Sequence, residues 1–452
     1  MTEAPPSVTR LTRPYSRRRF LAGSVAAVAS TQIVPASVLG REGQLAPSER
    51  ITIGMFGVGN RGSSSLNAMR PLPDHQVVAI AECRQTRALR AQAQVNKVYA
   101  ERLGRETYHG CKIYRDFRDV LARADIDAIW GCVPDHWHGV VYNRTIEAGK
   151  DMYGEKPISR WIADGLRTRA AVRRYSCLFQ TGTQQRSDPK FRHACELARN
   201  GYLGKVHTIY VGAPGGREYP VVPPCDPPEG FDYDRWSGPA PLFPFDKQRC
   251  EWLAMYMISH YCAGFITNWG VHHLDIAGWG CPEVFHKPFE IEGSGILPSQ
   301  GMTDTWISWQ LQLRWESGLK MSYTNSDNPN KQGCKFQGDE GWVHVNRRGI
   351  SAEPASLLDV KLKSSDTPLH ASPEHANPYT AHTADFFHSV RTRQDPVSPI
   401  EEGHAASTLG NVSDITLRLG RKLRWDPTRD RFSGDEEANN MLSRAARSPW
   451  TI

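Results

Sequence analysis

The order of apolar and polar positions divides the chain into two regions of different texture. From residue 51 to about residue 176, short apolar runs alternate with longer stretches of helical spacing. The runs at 51–56, 76–81, 128–133 and 151–153 predict strands, and helices are predicted at 63–69, 86–103, 140–148 and 161–175. Strands that alternate with helices in this way predict a parallel, doubly wound sheet.

Beyond about residue 177 the pattern is typical of an open antiparallel sheet. Alternation at 206–212, 305–315 and 318–324 predicts strands with one packed face and one polar face. Residues 212–244 are rich in proline and glycine, which predicts a long irregular loop of a kind that often carries function. Helices are predicted within 376–420, returning to pack on the first region. The expected fold class is therefore α/β, a doubly wound parallel sheet followed by an α+β domain with a large, open, mostly antiparallel sheet.

The first forty residues have the pattern of an export signal. Arg17, Arg18 and Arg19 precede Phe20 and Leu21, and an uncharged stretch rich in small residues follows. Paired arginines before Phe-Leu resemble the twin-arginine signal. The alternative, a membrane anchor, is disfavoured because the stretch also contains serines, a glutamine and a proline. We expect a removable signal at 1–40, a linker at 41–50, export to the periplasm and no integral membrane segment in the mature form.

Composition narrows the classes of partner. A chain of 452 residues with 39% hydrophobic residues is expected to form two domains, at 51–176 and 177–452. More than half of the net charge of +7 lies on residues 1–40, which carry five arginines against one glutamate. The rest shows no basic stripe with interleaved aromatics, so a nucleic-acid partner is not expected.

None of the ten cysteines forms a C-x-x-C pair, and we expect no metal site.

A glycine motif follows the first predicted strand and opens the next helix. Gly57, Gly59 and Gly62 form a G-x-G-x-x-G pattern around Asn60 and Arg61. Such glycines allow a tight turn and a close approach of the backbone to a pyrophosphate at the helix N-terminus. The motif therefore predicts that the first region is a Rossmann domain that binds a dinucleotide.

Glu82 bears on the choice of dinucleotide. It ends the second strand twenty residues after Gly62, where a carboxylate bonds a ribose 2′-hydroxyl. This carboxylate would repel a 2′-phosphate, so NAD is the expected cofactor. Arg84 and Arg87 lie near enough to keep NADP as the less favoured alternative, and a solvated charge at a strand end is the other interpretation of Glu82.

Two segments follow later strands, where ligands of open α/β sheets bind. In the first, Pro134 and His138 are expected to line the cofactor crevice, whereas His136 fits that role and a packing role equally well. In the second, Glu155 and Lys156 follow the next strand, and the lysine ammonium would stabilise an alkoxide in the same crevice. A surface turn is the plainer interpretation of that second segment.

A polar cluster lies on a predicted helix that starts at Asn268. Asn268 and His272 are four residues apart and share a face, as do His272 and Asp275. Neighbours can thus orient His272 as a proton-transfer group near neutral pH. A metal site at His272 and His273 is disfavoured because adjacent helical side chains point about 100° apart.

Five segments together carry a family resemblance. They are 134–138 (Pro-Asp-His-Trp-His), 155–157 (Glu-Lys-Pro), 182–186 (Gly-Thr-Gln-Gln-Arg), 269–273 (Trp-Gly-Val-His-His) and 418–425, which begins Arg-Leu-Gly. In this order they resemble the Gfo/Idh/MocA family of sugar oxidoreductases, in its bacterial branch with twin-arginine signals. The resemblance runs from about residue 50 to the end. It implies a Rossmann domain, then a mixed open-sheet domain that often forms the interface of a homo-oligomer.

The resemblance also assigns roles. Lys156 corresponds to the family lysine that contacts the reacting hydroxyl, and His272 to the histidine that takes its proton. Asn268 stands where many members have aspartate, which puts the support of His272 in doubt because an amide carries no charge. Arg186, Asn268 and His273 are the expected substrate contacts, with a structural ion pair as the alternative for Arg186.

The activity implied by the resemblance is NAD-dependent oxidation of a hydroxyl on a sugar, glycoside or cyclitol. Export makes a tightly held cofactor necessary, because no soluble nicotinamide pool is expected outside the membrane. The alternative is an NAD-dependent glycoside hydrolase that works by transient C3 oxidation, elimination and re-reduction. A binding module without activity is a third reading. Trp236, Trp252 and Trp269 are candidates to face a sugar ring.

Overall fold

The computed structural model of the protein describes residues 49–325 and 331–452. The predicted signal at 1–40 lies outside the described residues, as does most of the predicted linker. Residues Glu49–Ile452 form one compact unit. Within the described part of the chain, no helix has the length and apolar character needed to cross a membrane.

Strands and helices alternate in the first region, as the pattern predicts. The elements are β1 (Ile51–Phe56), α1 (Asn60–Met69), β2 (His75–Ala81), α2 (Gln85–Arg102), β3 (Lys112–Tyr114), α3 (Phe117–Leu121), β4 (Ala128–Gly131), α4 (Asp135–Glu147), β5 (Asp151–Gly154), α5 (Ile162–Tyr175) and β6 (Phe179–Thr181). All six strands are parallel, in the order β3-β2-β1-β4-β5-β6. The prediction of a doubly wound parallel sheet is confirmed, and its last strand lies beyond residue 176.

The strand order places a crevice beyond the carboxyl ends of β1 and β4, the two central strands of this sheet. β1 is hydrogen-bonded to both β2 and β4, so the chain winds outward from β1 in both directions. β4 and β5 are buried along their whole length because helices cover both faces of a parallel sheet. Ligands bind beyond the carboxyl ends of the strands at such a switch point.

The second region contains a larger sheet. Its elements are α6 (Pro189–Arg199), β7 (Val206–Ala213), α7 (Tyr233–Ser237), α8 (Val271–Gly280), α9 (Glu283–His286), β8 (Phe289–Ile296), β9 (Ser308–Trp315), β10 (Lys320–Asn325), β11 (Gly333–Gly338), β12 (Trp342–Asn346), β13 (Gly349–Glu353), α10 (Pro378–Thr392), α11 (Ile400–Leu419), β14 (Leu423–Asp426), β15 (Arg431–Phe432) and α12 (Glu436–Asn440), with single 3-10 turns at Gln184–Ser187, Ala254–Met257 and Ala355–Asp359. The nine strands run β13-β12-β11-β7-β10-β9-β8-β14-β15. Only the β7–β10 pair is parallel among these described strands, which confirms the prediction of a mostly antiparallel sheet.

One face of this sheet forms the core of the second region. Along β9, Trp309, Leu311, Leu313 and Trp315 are buried and alternate with polar residues that are not. The buried face packs against α8, which in turn contacts α6 and α11. Helix α8, which carries His272, is thereby held between the sheet and two other helices.

The last two long helices connect the regions. Phe386 and Phe387 of α10 enter the same apolar cluster as Trp130 of β4, and α11 packs against α5. In addition, Gln180 Nε2 donates to the carbonyl oxygen of His382 at 2.8 Å. These contacts hold the crevice of the first sheet opposite the N-terminal end of α8.

Candidate active site

A cavity of about 530 Å³ lies at this crevice, between the first sheet and the start of α8. Most of the site residues predicted from the sequence line it: Gly57, Gly59, Asn60, Arg61, Glu82, Pro134, His138, Glu155, Lys156, Asn268 and His272. Gly62, Arg186 and His273 do not belong to its lining. Tertiary contacts therefore bring together segments that are separated by more than 200 residues.

The glycine turn forms the floor at one end. Gly57 has a φ of +77°, and a Cβ atom there would lie 2.6 Å from the carbonyl oxygen of Cys132. A Cβ on Gly62 would lie 2.2 Å from the Gly57 oxygen. Gly62 is thus needed for the close approach of α1 to the turn, and it does not itself contact the cavity.

Glu82 is held at the same end by main-chain donors. Its Oε2 accepts the Val58 N–H and its Oε1 accepts the Arg84 N–H, both at 2.9 Å. The Arg84 side chain turns toward the second region, where Nη2 donates to the Cys250 oxygen at 3.3 Å. Arg87 lines the cavity. A bare glycine backbone, a helix N-terminus and a fixed carboxylate fit the pyrophosphate and ribose of a nicotinamide dinucleotide.

Lys156 occupies the other end, in a chain of hydrogen bonds. Its buried Nζ donates to the Asn268 carbonyl oxygen at 2.8 Å and to Oδ1 at 3.2 Å. Asn268 Nδ2 then donates to both carboxylate oxygens of Asp135, at 3.0 and 2.9 Å. Burial lowers the pKa of Lys156, and the carboxylates of Asp135 and Glu155 oppose that shift.

Asp135 lines the cavity and was not among the site residues predicted from the sequence. It lies at the start of α4, is 4% exposed and also accepts from Cys262 Sγ at 3.1 Å. The interpretation of this segment rested on the neighbouring histidines. The position of Asp135 directly after a strand of the parallel sheet could have identified it. Its carboxylate supports Lys156 through Asn268, whereas no contact in the described part of the chain joins it to His272.

His272 lies in the first turn of α8 beside the same end of the cavity. It is buried, and its Nδ1 has no hydrogen-bond partner in the described structure. Burial holds the pKa of His272 well below its usual value, and the positive charges of Arg347 and Lys156 lower it further. The imidazole is consequently neutral at ordinary pH and able to accept a proton.

The predicted helix at Asn268 begins later than expected. α8 starts at Val271, and Asn268 belongs to the turn before it. The Asn268 side chain therefore bonds to Asp135 and Lys156, and a shared helical face with His272 is not formed.

Arg61 and Glu155 form an ion pair on the wall between the two ends. Arg61 Nε donates to Glu155 Oε1 at 2.6 Å, and Gln184 Nε2 donates to the same oxygen at 3.1 Å. Burial alone would lower the pKa of Arg61, but the Glu155 carboxylate raises it overall. The pair holds the segment that precedes Lys156.

Two predicted substrate contacts lie elsewhere. Arg186 is buried, its Nε and Nη2 donate to Asp275 at 2.7 and 2.8 Å, and its Nη1 pairs with Glu402. His273 is also buried, and its Nδ1 donates to the Gly212 oxygen at 2.8 Å. Arg186, in the turn at Gln184–Ser187, thus pairs with the helices of the second domain, and His273, on α8, bonds to the end of β7. The structural alternative for Arg186 is the one observed.

His136 likewise takes its packing role, with Nε2 donating to the Trp236 oxygen at 2.9 Å. Trp236, Trp252 and Trp269 all line the cavity, and Trp252 is 57% exposed. Arg347 joins them from the turn between β12 and β13, with its guanidinium 5.3 Å from the Trp269 ring centre. No sequence signal pointed to Arg347, because its position depends on strand pairing in the second sheet.

The described residues contain no group of three or more His, Cys, Asp or Glu side chains that could hold a metal ion. All ten cysteines are free thiols in this structure.

Comparisons with known proteins agree with this geometry. The family model described as "Oxidoreductase family, NAD-binding Rossmann fold" matches residues 51–183, and that described as "Oxidoreductase family, C-terminal alpha/beta domain" matches 210–452. The chain is similar to myo-inositol 2-dehydrogenase of Thermotoga maritima, with 26% identity over 382 residues, 83% of this chain and 98% of that protein.

Two further similarities extend the picture. A glycosyl hydrolase family 109 protein of Shewanella putrefaciens is 32% identical over 123 residues, which cover 27% of this chain and 26% of that protein. The crystal structure of aldose-aldose oxidoreductase from Caulobacter crescentus shares the fold, with a TM-score of 0.60, 17% identity and coverage of 83% of this chain and 100% of that one. The chain therefore belongs to the Gfo/Idh/MocA oxidoreductase family and is a nicotinamide-dependent oxidoreductase that acts on CH–OH groups.

Proposed function

We propose that the enzyme oxidises a hydroxyl group of a sugar, glycoside or cyclitol with a tightly held NAD. The observation that carries the proposal is one cavity with a dinucleotide cradle at one end and, at the other, a neutral His272 and the Lys156 amino group, which is hydrogen-bonded to Asn268. Three tryptophans on the wall suit the apolar faces of a sugar ring.

The side chains divide the work of the reaction between them. Lys156 donates a hydrogen bond to the substrate oxygen and stabilises the negative charge that develops there. His272 takes the proton that the hydroxyl loses. When bound, the nicotinamide ring supplies the acceptor for the hydride that leaves the same carbon, which becomes a carbonyl carbon. Asp135 and Asn268 keep Lys156 oriented and protonated.

NAD is preferred over NADP in this proposal. The Glu82 carboxylate, fixed by two main-chain donors, would repel a 2′-phosphate. Of the two arginines that would favour NADP, Arg84 is engaged by the second region, whereas Arg87 lines the cavity.

We further propose that residues 1–40 direct export to the periplasm by the twin-arginine route. The support is the sequence pattern of Arg17-Arg18-Arg19-Phe20-Leu21. Fusion of residues 1–40 to a reporter should give export that requires the twin-arginine machinery. Lysine at both Arg17 and Arg18 should abolish that export, and unchanged export would refute the proposed route.

A homo-oligomer is also proposed, joined through the outer face of the nine-stranded sheet, since α8 and its neighbouring helices cover the inner face. Light scattering on the purified protein tests this point, and a monomer at micromolar concentration would refute it.

A glycoside hydrolase that uses NAD catalytically is the second candidate function. The 32% identity to the family 109 protein favours it, as does export, because a redox-neutral reaction needs no external cofactor pool.

One experiment separates these functions. The purified protein is denatured and the released NAD(H) and NADP(H) are measured; release of neither would contradict both candidates. The native protein is then incubated with free sugars, cyclitols and aryl glycosides. Keto product or a need for an electron acceptor supports the oxidoreductase, whereas release of the aryl group without net redox change supports the hydrolase.

A further inference from the structure

A second cavity, of about 230 Å³, lies between the segment that follows Lys156 and helix α11. Three arginines line it, Arg160, Arg418 and Arg444, and we call it the arginine pocket. It shares no lining residue with the active-site cavity. The assignments above give it no role.

A single lining carboxylate serves two of these arginines. Asp414 Oδ1 accepts from Arg418 Nε and from Trp306 Nε1, each at 2.9 Å, while its Oδ2 lies 3.7 Å from Arg160 Nη2. The side chains of Arg160 and Asp414 are 6% and 4% exposed. Arg160 Nε donates to the Ser259 carbonyl oxygen at 2.9 Å, a neutral acceptor, and its carboxylate partner Asp414 is shared with Arg418.

The nearest other carboxylate does not supply the missing charge to the pocket. Asp304 is engaged by Ser259, whose N–H and Oγ both donate to it, with Oγ at 2.6 Å from Oδ2. It does not belong to the lining. Even with Asp304 included, the three arginines outnumber the two carboxylates, so the charge around the arginine pocket is net positive.

Arg444 is the cation without a counter-ion. Its Nη1 donates to His260 Nδ1 at 2.6 Å, which is a neutral acceptor. Burial lowers the pKa of Arg444, and the positive charge of Arg160 lowers it further. Burial also lowers the pKa of His260, and the positive charge of Arg444 adds to that shift. Among the described residues no carboxylate lies within ion-pair distance of Arg444. A partly buried charge of this kind is costly unless a partner neutralises it.

The walls leave guanidinium donors available. The Trp161 ring lies 4.1 Å from the Arg160 guanidinium carbon and 5.2 Å from that of Arg444, so stacking holds both groups without using their N–H bonds. Asn411 is 3% exposed, lines the pocket and has a buried Oδ1 with no hydrogen-bond partner. The pocket therefore offers several donors and one acceptor.

We propose that the arginine pocket binds a phosphate group, either as inorganic phosphate or as a small phosphate monoester. Guanidinium groups bind phosphate oxygens in pairs, and a dianion neutralises the excess positive charge of the pocket more fully than a carboxylate does. Asn411 Oδ1 accepts a hydroxyl hydrogen of the hydrogen phosphate ion or of the ester. The site is close to the catalytic segments, since Arg160 follows Lys156 by four residues and Ser259 precedes Cys262 by three.

The test uses the full chain with saturating NAD, so that the glycine turn is occupied. Inorganic phosphate and glycerol 3-phosphate are titrated separately in phosphate-free buffer at constant ionic strength, with calorimetry and thermal unfolding as readouts. The proposal expects saturable binding and a saturable rise of the unfolding midpoint by a few degrees with at least one of them. Tighter binding of one ligand identifies the source of the phosphate group. A rise that sodium chloride reproduces would overturn the proposal.

Arg444→Gln is the informative variant. It should weaken phosphate binding tenfold or more, yet leave the midpoint without phosphate unchanged or higher, because repulsion of Arg160 is removed. This second readout separates the proposal from general damage to the fold. Arg429→Gln is the matched control, since its side chain is 77% exposed and does not belong to the pocket lining. Equal phosphate affinity of Arg444→Gln and the wild type would refute the site.

Discussion

At the end of the cavity that holds Lys156 and His272, burial shifts the pKa of both side chains. Burial removes His272 from water, and the positive charges of Arg347 and Lys156 act on it. Both effects favour the neutral imidazole. Lys156 is also buried, but Asp135 and Glu155 oppose the loss of its proton. The two sites thus differ in their electrostatics: carboxylates oppose the shift at Lys156, whereas positive charges add to the shift at His272.

His272→Ala tests the base. It should lower kcat by about 10²–10⁴-fold, because the hydroxyl proton then has no positioned acceptor, while the Kd for NAD stays unchanged. Steady-state kinetics and fluorescence titration of NADH measure the two quantities. His207→Ala, in β7 and outside the cavity lining, is the control. A kcat near the wild-type value would show that another group takes the proton.

Arg347→Gln tests the origin of the lowered pKa of His272. Protonated His272 cannot act as a base, so kcat falls as the pH drops through this pKa. Removing the nearby positive charge raises the pKa, and the acidic limb of the pH profile should move to higher pH. Arg348→Gln, in the same turn but outside the lining, should leave the limb in place. An unmoved limb in Arg347→Gln would contradict the electrostatic account.

Asp135→Asn tests the positioning of Lys156. Loss of the carboxylate lowers the pKa of Lys156 further, so the basic limb of the profile should shift to lower pH. kcat should fall roughly 10–100-fold, the cost of a lost hydrogen bond to a charged group. A merely structural role of Asp135 would lower stability without moving the limb. Asp119→Asn, an exposed carboxylate on α3, controls for the change of charge.

Among elements, the turn from β1 to α1 shows how much of the site was readable from sequence. The glycine pattern predicted the turn because only glycine tolerates its backbone and its close contacts. The prediction that a helix starts at Asn268 was wrong, because helical spacing alone does not determine where a helix starts. α8 begins at Val271, and Asn268, in the turn before it, bonds to Asp135 and Lys156, residues more than 100 positions away.

Two alanine substitutions separate the roles of the glycines. In Gly62→Ala the new Cβ would lie 2.2 Å from the Gly57 oxygen, so the turn must shift, and stability should fall by about 1–3 kcal/mol. In Gly59→Ala the nearest atom is the flexible end of Arg87, at 3.3 Å. That variant should keep its stability and bind NAD more weakly. Urea unfolding and NADH titration give both values, and equal stability losses in the two variants would contradict this division.

For the molecule as a whole, Arg186 matters as a junction. It joins the turn at Gln184–Ser187 to Asp275 of α8 and Glu402 of α11, and it is 1% exposed. Burial raises the pKa of Asp275, and Arg186 opposes this shift. The ion pairs hold together the three elements that position the second domain behind His272.

Arg186→Met should therefore cost about 3–5 kcal/mol of unfolding free energy, because it leaves a buried carboxylate unpaired. Without Arg186 the folded-state pKa of Asp275 rises further, so the folded variant binds a proton more readily, and its deficit should shrink as the pH falls. The KM of the folded variant should stay near the wild-type value. A large rise in KM with normal stability would instead restore the predicted substrate contact. Arg429→Met serves as the control.

The sequence by itself determined the class of each sheet, the glycine turn and the identity of the lysine and histidine segments. These are local properties, because strand period, turn conformation and side-chain chemistry depend on neighbouring residues. Tertiary structure decided which of these residues meet. It placed Lys156 and His272 in one cavity, supplied the carboxylate of Asp135 to Asn268, brought in Arg347 from a distant turn and buried Arg186 among carboxylates. The direction of a side chain depends on contacts between segments far apart in the chain, and so do the burial and charges that set its pKa; no short pattern encodes them.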